Sequence, residues 1–383
     1  MTFSWMNFRV TYLILCLIIT SGINAFADNA TTKTLVFPDD YQGAWIMIRD
    51  AVGESRWEEK AAARGTIIIP EGKVVGISFV VGQRVDLKPF SRLAPGDIHS
   101  IQLHATKVKD SDLMHLAHLT GLKSLTLWRT EIGNEGLLHL KELRELEYLD
   151  ISETKIDDAG LEPIGTITSL HSLTLRGLNI SNEGLQHLSS LSSLRELTIS
   201  GTRSERSSIG DIGIMSLSSL TNLENLNLYH TSITDECLEF LTPLKTLEKI
   251  YFSYNNIDGK GLIHLAALPA LRELNLSACP LKDRYLAHLK SNAALRSLNL
   301  DFTSIGDEGI THLVDLPVLE NLSLSNTKVT DASIVMFSMI KSLQSLDVQN
   351  TGVSPESVVE ISNLLPECFI HSGRCDIWGG VKQ

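Results

Sequence analysis

The chain has 383 residues, 43% of them apolar, and a formal net charge of −12. This is the composition of an ordinary globular protein, and it excludes a disordered or membrane-embedded chain. Because no cluster of lysine and arginine offsets the acidic balance, nucleic acid and anionic membranes are not expected partners.

Residues 1–27 have the pattern of a secretory signal segment. Arg9 precedes an apolar run over residues 10–19, and Ala-Phe-Ala at 25–27 fits the small-residue rule for cleavage before Asp28. The apolar run is shorter than the ~20 residues that span a bilayer, so we predict cleavage and no stable membrane insertion afterwards. The predicted location is extracytoplasmic, that is periplasmic, cell-surface or secreted, and an uncleaved anchor is the alternative.

Residues 28–74 precede the repeats described below and do not share their pattern. They contain Tyr41, Trp45 and Trp57, followed by the β-prone run GTIIIPEGKVVGISF. We predict a short helical segment and several strands that together form an N-terminal cap on the solenoid. The alternative, an independent binding module, has too few residues to build its own core.

Residues 75–365 consist of 24-residue repeats of the pattern L-x-L-x-x-T-x-I-x-D-x-G-L-x-x-L-x-x-L-x-x-L. One clear copy, from Lys123, is KSLTLWRTEIGNEGLLHLKELREL. The copy from Arg195 breaks the period, because residues 203–208 are inserted after Thr202. Self-similarity at this period predicts a solenoid in which stacked units bury a common core.

Each unit has the pattern of a strand, a tight turn and a short helix. Leu125 and Leu127 alternate with polar residues as in a strand, whereas Leu137, Leu140 and Leu143 lie on one helical stripe. Stacked strands need about 4.8 Å each and helices about 8–10 Å, so the array must curve with its strands inside. We predict an α/β fold, a right-handed horseshoe with a parallel sheet on the concave face and helices on the convex face.

In nine units Asp or Asn stands just before the predicted helix, and we expect it to cap the backbone N–H groups of that helix. The nine residues in this column are Asp110, Asn134, Asp158, Asn182, Asp211, Asp235, Asp283, Asp307 and Asp331. Most acidic residues of the repeats therefore have a structural explanation.

The run Thr-Ser-Ile-Thr-Asp at 231–235, with its equivalents, resembles the leucine-rich repeats of the cysteine-containing and ribonuclease-inhibitor-like subtypes. Thr in place of Cys or Asn is similar to exported bacterial leucine-rich repeat proteins. The resemblance covers most of the chain and implies a solenoid that binds a protein on its concave face. Some eukaryotic relatives are substrate receptors of ubiquitin ligases, but no F-box-like segment precedes these repeats.

The sequence does not predict a catalytic or metal site. Neighbouring helices lie roughly 8–10 Å apart, whereas zinc ligands must all reach one ion at ~2.1 Å. This spacing argues against a metal site in the one helix column that repeats histidine, namely His115, His139, His187, His264, His288 and His312. There is also no serine or cysteine in a glycine-rich elbow and no phosphate-binding loop. We therefore predict a protein that is not an enzyme and has no cofactor.

Four cysteines follow the predicted signal segment. Cys279 stands in the column that threonine occupies in most units, and Cys237 replaces a helix glycine, so both are expected to be buried. Cys368 and Cys375 belong to the predicted C-terminal cap, residues 366–383. In an oxidising compartment these two are a candidate disulfide that would pin the cap.

The concave strand positions distinguish one unit from the next. Most units carry serine or asparagine there, but Tyr229, His230, Tyr251 and Tyr254 are expected to meet as one aromatic patch. Further candidates for partner contact are Trp128 with Arg129, the isolated Phe302, and the inserted rim residues Arg203, Glu205 and Arg206.

Together these features predict an exported, non-catalytic scaffold that binds a protein or peptide partner on its concave face. Two alternatives remain open. One is a carbohydrate- or cell-wall-binding repeat protein, whose aromatic side chains would stack on sugar rings. The other is an adaptor in a ubiquitin-ligase-type assembly, against which the signal segment argues.

Overall fold

The computed structural model describes residues 32–52, 56–202 and 206–373, and beyond them the backbone of 377–378 and 381–382. The predicted signal segment at 1–27 lies outside the described residues, as do Arg203, Glu205 and Cys375. In the described part of the chain, no helix is both long enough and apolar enough to cross a membrane.

One strand follows another at nearly regular intervals. The strands are β1 Lys33–Phe37, β2 Ala44–Asp50, β3 Glu58–Ala62, β4 Gly65–Ile69, β5 Lys73–Phe79, β6 Ser100–Gln102, β7 Ser124–Thr126, β8 Tyr148–Asp150, β9 Ser172–Arg176, β10 Glu196–Ser200, β11 Asn225–Tyr229, β12 Lys249–Tyr251, β13 Glu273–Asn275, β14 Ser297–Asn299, β15 Asn321–Ser323, β16 Ser345–Asp347, β17 Phe369–His371, β18 Ile377–Trp378 and β19 Val381–Lys382.

Short helices lie between the strands of the repeats. The α-helices are α1 Asp110–Leu113, α2 Asn134–Leu137, α3 Asp158–Gly165, α4 Asn182–Leu185, α5 Asp211–Met215, α6 Cys237–Phe240, α7 Asp307–Thr311, α8 Ile334–Met339 and α9 Pro355–Leu364. The 3-10 helices are Lys88–Arg92, Leu138–Leu140, Gln186–Ser190, Lys260–Ala267, Asp283–Ser291 and Asp331–Ser333.

Strands β5 to β17 lie side by side in chain order and form one parallel sheet. Each unit adds one strand to this sheet and, in the repeats, a helix or 3-10 turn to the opposite face. The insertion after Thr202 leaves the register intact, because Leu197 of β10 still pairs with Leu226 of β11. The predicted α/β solenoid with a concave parallel sheet is confirmed.

The core runs through all the repeats. In the unit that starts at Lys123, the predicted apolar positions are fully buried, namely Leu125, Leu127, Ile132, Leu137, Leu140, Leu143 and Leu146. The equivalent leucines of successive strands pair in register, as Leu125 does with Leu149. A single unit could not bury both of its flat sides, so the stability of each unit depends on its neighbours.

The N-terminal segment differs from its prediction. Its described residues between 32 and 74 form strands joined by turns, and none of these residues is helical, so the predicted short helical segment is wrong for them. The run Ala44–Asp50 alternates buried and outward side chains, which is the period of a strand. Strand β2 pairs antiparallel with β5 and β3, so this segment extends the main sheet, while β1 and β4 form a separate two-stranded sheet.

The Asp and Asn column has a different role from the one predicted. Asp158 is the first residue of α3, and the residue that caps this helix is Asp157, whose side chain accepts from the Ala159 N–H. The Asp158 side chain instead accepts bonds from the next unit, from Ser181 N at 2.7 Å and Ser181 Oγ at 2.6 Å. The same bond to the following unit, at 2.7–3.1 Å, is made by all nine residues of the column.

This ladder of polar bonds explains the repeated helix glycine. A Cβ on Gly160 would lie 2.6 Å from Asn134 Oδ1, and one on Gly213 would lie 2.6 Å from Asn182 Oδ1. Such distances are shorter than real Cβ contacts, so the polar residue of one unit favours glycine in the next. Other units accommodate a small side chain instead, such as Cys237 after Asp211 and Ser333 after Asp307. The two columns are therefore a coupled pair, one member in each unit.

The threonine column closes the turn after each strand. Its hydroxyl donates to the backbone carbonyl three residues earlier, as Thr130 Oγ1 does to Leu127 O at 2.7 Å. Cys279, in this column, is buried and its thiol contacts Phe252 O at 3.3 Å. The buried positions expected for Cys279 and Cys237 are thus confirmed.

We predict that the three described cysteines do not react with thiol reagents in the native protein. Burial raises the pKa of Cys279 to about 11 and of Cys368 to about 12, and it also raises the pKa of Cys237 well above its ordinary value. A thiol that is neither exposed nor ionised is a poor nucleophile. Maleimide labelling at pH 8 of a Cys16→Ser/Cys375→Ser variant tests this: labelling should need denaturant, and rapid labelling of the native protein would contradict it.

The disulfide between Cys368 and Cys375 stays a prediction. Cys368 is buried beside the last strands of the sheet, and Cys375 lies outside the described residues. Thiol titration of the denatured, unreduced protein distinguishes a bonded pair from two free thiols.

Candidate functional site

The concave surface is made by alternate strand residues and by the turn that follows each strand. In the unit from Lys123, Leu125 and Leu127 are buried, while Thr126 and Trp128 point outward. The next residue, Arg129, has a φ of 56° and so adopts the left-handed conformation. The turn needs this conformation in order to leave the strand.

The residue equivalent to Arg129 has a positive φ in most units, and these residues are called the left-handed column below. Its non-glycine members, with φ between 51° and 62°, are Ala105, Arg129, Glu153, His230, Tyr254, Ala278, Phe302, Asn326 and Asn350. Glycine and asparagine tolerate this conformation, whereas a larger side chain costs roughly 1 kcal/mol or more. Five bulky residues therefore occupy positions at which the fold alone favours glycine or asparagine.

Three of the four residues predicted to form the aromatic patch do meet. Tyr229 and Tyr254 lie edge to face with ring centroids 5.3 Å apart, and His230 lies 6.0 Å and 6.3 Å from them. Both tyrosines stay exposed, at 41% and 44%. The ring of His230 is fixed by a 3.0 Å contact between its Nδ1 and Thr202 O. Below, these three residues are called the aromatic cluster.

Tyr251 stands beside the aromatic cluster rather than within it. It lies half-buried on strand β12, where burial and a hydrogen bond with Glu273 raise the pKa of its hydroxyl to about 12. Phe302 is 60% exposed and lies two units further along the chain. The structure therefore does not bring Phe302 to the aromatic cluster.

Trp128 and Arg129 form a second group. The Arg129 guanidinium lies 5.5 Å from the Trp128 ring centroid, and its Nε pairs with Glu153 at 3.0 Å. His104 of the preceding unit stacks on the other side of this group, 6.3 Å from Trp128 between ring centroids. The ion pair joins two neighbouring units, and it neutralises both charges.

One groove of about 940 Å³ joins the two groups. Trp128, Arg129 and Glu153 line one end of it, and Tyr229 and Tyr251 line the other. The residues of the floor between them are small or carry one long side chain, namely Arg176, Gly177, Thr198, Ser200, Gly201 and Thr202. Two groups that are about a hundred residues apart in the sequence therefore border a single concave site.

The inserted segment is bonded to the aromatic cluster's unit. Arg206 donates to Thr231 O at 3.0 Å, and Ser207 N donates to His230 O at 3.2 Å. Arg206 thus holds the end of the insertion in place, which gives it a structural role at the rim. The other predicted rim residues, Arg203 and Glu205, lie outside the described residues.

Two residues of this site were not selected from the sequence. Arg176 belongs to the outward column of β9, which the repeat alignment does identify, but only the folded groove shows that it lies between the two aromatic groups. Asn255 replaces threonine after Tyr254 and is buried. Its amide binds Leu228 O at 2.6 Å and Phe252 O at 2.9 Å, and so holds the turns that carry the aromatic cluster.

Within the described residues, no group of three histidine, cysteine, aspartate or glutamate side chains is placed to hold a metal ion. The candidate site thus consists of the groove, its aromatic rings and the three charged side chains that line it, Arg129, Glu153 and Arg176.

Comparisons with known proteins agree with the observed architecture. An internalin from Listeria monocytogenes has a TM-score of 0.56 and 22% identity, over 75% of this chain and 83% of that one. A leucine-rich repeat protein from Leptospira interrogans has a TM-score of 0.51 and 18% identity, over 74% of each chain. At these identities the likeness concerns the fold alone. A comparison with curated proteins gives no significant match.

The sequence itself carries the family assignment. The family described as a leucine-rich repeat region matches residues 97–354, which is well over half of the chain. This match covers the units whose buried leucines, threonine turns and polar ladder are described above. The chain therefore belongs to the leucine-rich repeat family.

Proposed function

We propose that this protein is an exported, non-catalytic scaffold that binds a protein or peptide partner in its concave groove. The observation that carries the proposal is the set of bulky side chains held in the left-handed column on both sides of the groove. Arg129 and Glu153 line one end of the groove, and His230 and Tyr254 pack against Tyr229, which lines the other end. Side chains that cost the fold stability are expected where they serve a function.

The chemistry of the groove favours a protein partner. Exposed tyrosine, tryptophan and arginine are the side chains that most often anchor protein interfaces. The groove volume of about 940 Å³ is that of a site for a large ligand or a segment of a chain. Export is supported by the pattern of residues 1–27, and the fold is shared with the leucine-rich repeat protein of a spirochaete and with an internalin.

Replacement of the aromatic cluster by the residues that other units use tests the proposal. In Tyr229→Ser/Tyr254→Asn, both new residues occur at the equivalent positions of this chain, as in Ser325 and Asn326. Asparagine is not strained in the left-handed turn. The free energy of unfolding of the variant should therefore equal that of the wild type or exceed it by up to about 1 kcal/mol. The loss of two central aromatic anchors should nevertheless weaken partner binding at least about tenfold.

The measurement is affinity capture from the envelope and secreted fractions of the source. Wild-type protein is compared with the double variant and with Val335→Thr, a control on the exposed helix face. A protein held by the wild type and the control but lost by the double variant supports the proposal. Equal capture by all three places the binding site elsewhere, and capture of glycan alone favours the carbohydrate-binding alternative.

A further inference from the structure

The groove carries an excess positive charge in an acidic molecule. Its charged lining residues are Arg129, Arg176 and Glu153, and the first and last of these neutralise each other in a 3.0 Å ion pair. The Arg176 side chain is exposed and has no hydrogen bond or ion pair with any described residue. Among the residues that line the groove, no acidic side chain pairs with Arg176, and the nearby Asp150 and Glu196 act with Arg176 on the Tyr148 hydroxyl without lining the groove. The groove lining thus carries one net positive charge, although the whole chain has a net charge of −12.

The position of Arg176 matches the centre of the groove. It ends strand β9, between strand β7, which leads to Trp128, and strand β11, which ends at Tyr229. These outer strands are four strand spacings apart, which is about 19 Å at ~4.8 Å per spacing. One helix with its side chains is about 10–12 Å across, which is less than this span.

The floor beside Arg176 is kept low. Gly177 has a φ of 62°, and a Cβ there would lie 3.3 Å from Glu153 Cγ. The same Cβ would lie 3.5 Å from Thr202 Cγ2, so glycine leaves this part of the groove floor without a side chain. A segment bound in the groove can therefore reach the exposed guanidinium of Arg176, which lies between the two aromatic groups.

We infer that the groove selects a protein segment with an acidic side chain, which pairs with Arg176 while neighbouring apolar side chains contact Trp128 and Tyr229. This inference rests on the proposed function and names the class of segment that it binds. A guanidinium can bind a carboxylate through two parallel hydrogen bonds, and such a pair is stronger where water is excluded. Arg176 thus sets the specificity of the site, and the aromatic rings supply most of its contact area.

Peptide display tests this specificity with random peptides in place of the partner. A library of short random peptides is selected on purified wild-type protein, on Arg176→Gln, and on Arg144→Gln as a control. Arg144 is an exposed arginine paired with Glu142 between β7 and β8, away from the groove. Wild type and control should enrich peptides with Asp or Glu next to apolar residues, and Arg176→Gln should lose the acidic preference.

The affinity of one enriched synthetic peptide gives the second readout. Arg176→Gln should weaken its binding about tenfold, Arg176→Lys should restore part of the loss, and added salt should weaken wild-type binding more than that of Arg176→Gln. Enrichment without an acidic preference, or unchanged by Arg176→Gln, overturns the inference and leaves the proposed function standing. If wild-type protein enriches no peptide beyond the Tyr229→Ser/Tyr254→Asn variant, both are contradicted.

Discussion

Gly184→Ala should lower the free energy of unfolding by about 3 kcal/mol, a large effect for one methyl group. A Cβ at this position would overlap Asp158, whose side chain crosses from the preceding unit to bind Ser181. Alanine is the better helix former by about 1 kcal/mol, so the expected sign is opposite to that of helix propensity. Denaturant unfolding, followed by circular dichroism, gives the measurement.

The matched control is the double variant Asp158→Gly/Gly184→Ala. With the carboxylate gone, Gly184→Ala should cost less than about 1 kcal/mol in the Asp158→Gly background, so the two changes should couple strongly. The chain contains a natural example of such a double change. Gly259 replaces the polar residue in one unit, and Tyr285 replaces the glycine in the next unit. Equal costs of Gly184→Ala in both backgrounds would show that the ladder does not explain the glycine.

The polar ladder also shows how far the sequence could be interpreted. The 24-residue period predicted the strand, the turn and the helix of each unit, because burial in a solenoid constrains the same leucines every time. The sequence also identified the column of Asp and Asn residues, but it did not identify the backbone N–H groups that donate to them. Asp158 stands at a helix start, where capping is the common role. Only the stacked units reveal that its carboxylate accepts from the backbone N–H of Ser181 in the following unit.

The same limit applies to the candidate site. Tyr229 and Tyr254 could be identified because most units carry serine, asparagine or a small residue at their positions. Arg176 could not be selected from its column alone, since its importance depends on the empty space above Gly177 and on the distance between two walls. The repeat predicts which side chains share a column, whereas the shape of the groove depends on where the side chains between those columns are small.

The N-terminal segment was harder to predict because it lies outside the repeat. Without a period to compare, Tyr41 and the residues after it were assigned partly to a helix. In the structure Tyr41 stacks on Phe37, with ring centroids 5.8 Å apart, and donates to Asp86 O, so it joins the cap to the first turn of the solenoid. Such long-range contacts are not visible in a local sequence pattern.

Asn255→Ala should destabilise the protein by about 2–3 kcal/mol and also weaken partner binding. Asn255 is only 2% exposed, and its Oδ1 accepts from both N and Oγ1 of Thr231 at 3.0 Å. Its Nδ2 donates to two further carbonyls, Leu228 O and Phe252 O. Alanine would leave the buried Thr231 N–H without its acceptor, at a cost of about 1–3 kcal/mol. The other three groups would lose one bond each but keep a weaker one, from Thr231 Oγ1 to Leu228 O and from Cys279 Sγ to Phe252 O.

The effect should extend to function because of which turns Asn255 joins. Thr231 follows His230 directly, and Asn255 follows Tyr254, so one amide fixes two turns that carry the aromatic cluster. Asn255→Thr is the control, since threonine in this column bonds the carbonyl three residues earlier, as Thr303 does to Leu300 O at 2.6 Å. It should retain most of the stability but lose the bond between the two turns.

Unfolding midpoints and hydrogen exchange distinguish these variants. Asn255→Ala should lower the midpoint far more than Asn255→Thr, and both should increase amide exchange around residues 228–232 compared with the wild type. If Asn255→Thr leaves that exchange unchanged while binding of the enriched peptide also persists, the aromatic cluster is held by ring packing alone. The bridge would then stabilise the repeats without positioning the site, and strain in the left-handed column would be the remaining link between fold and function.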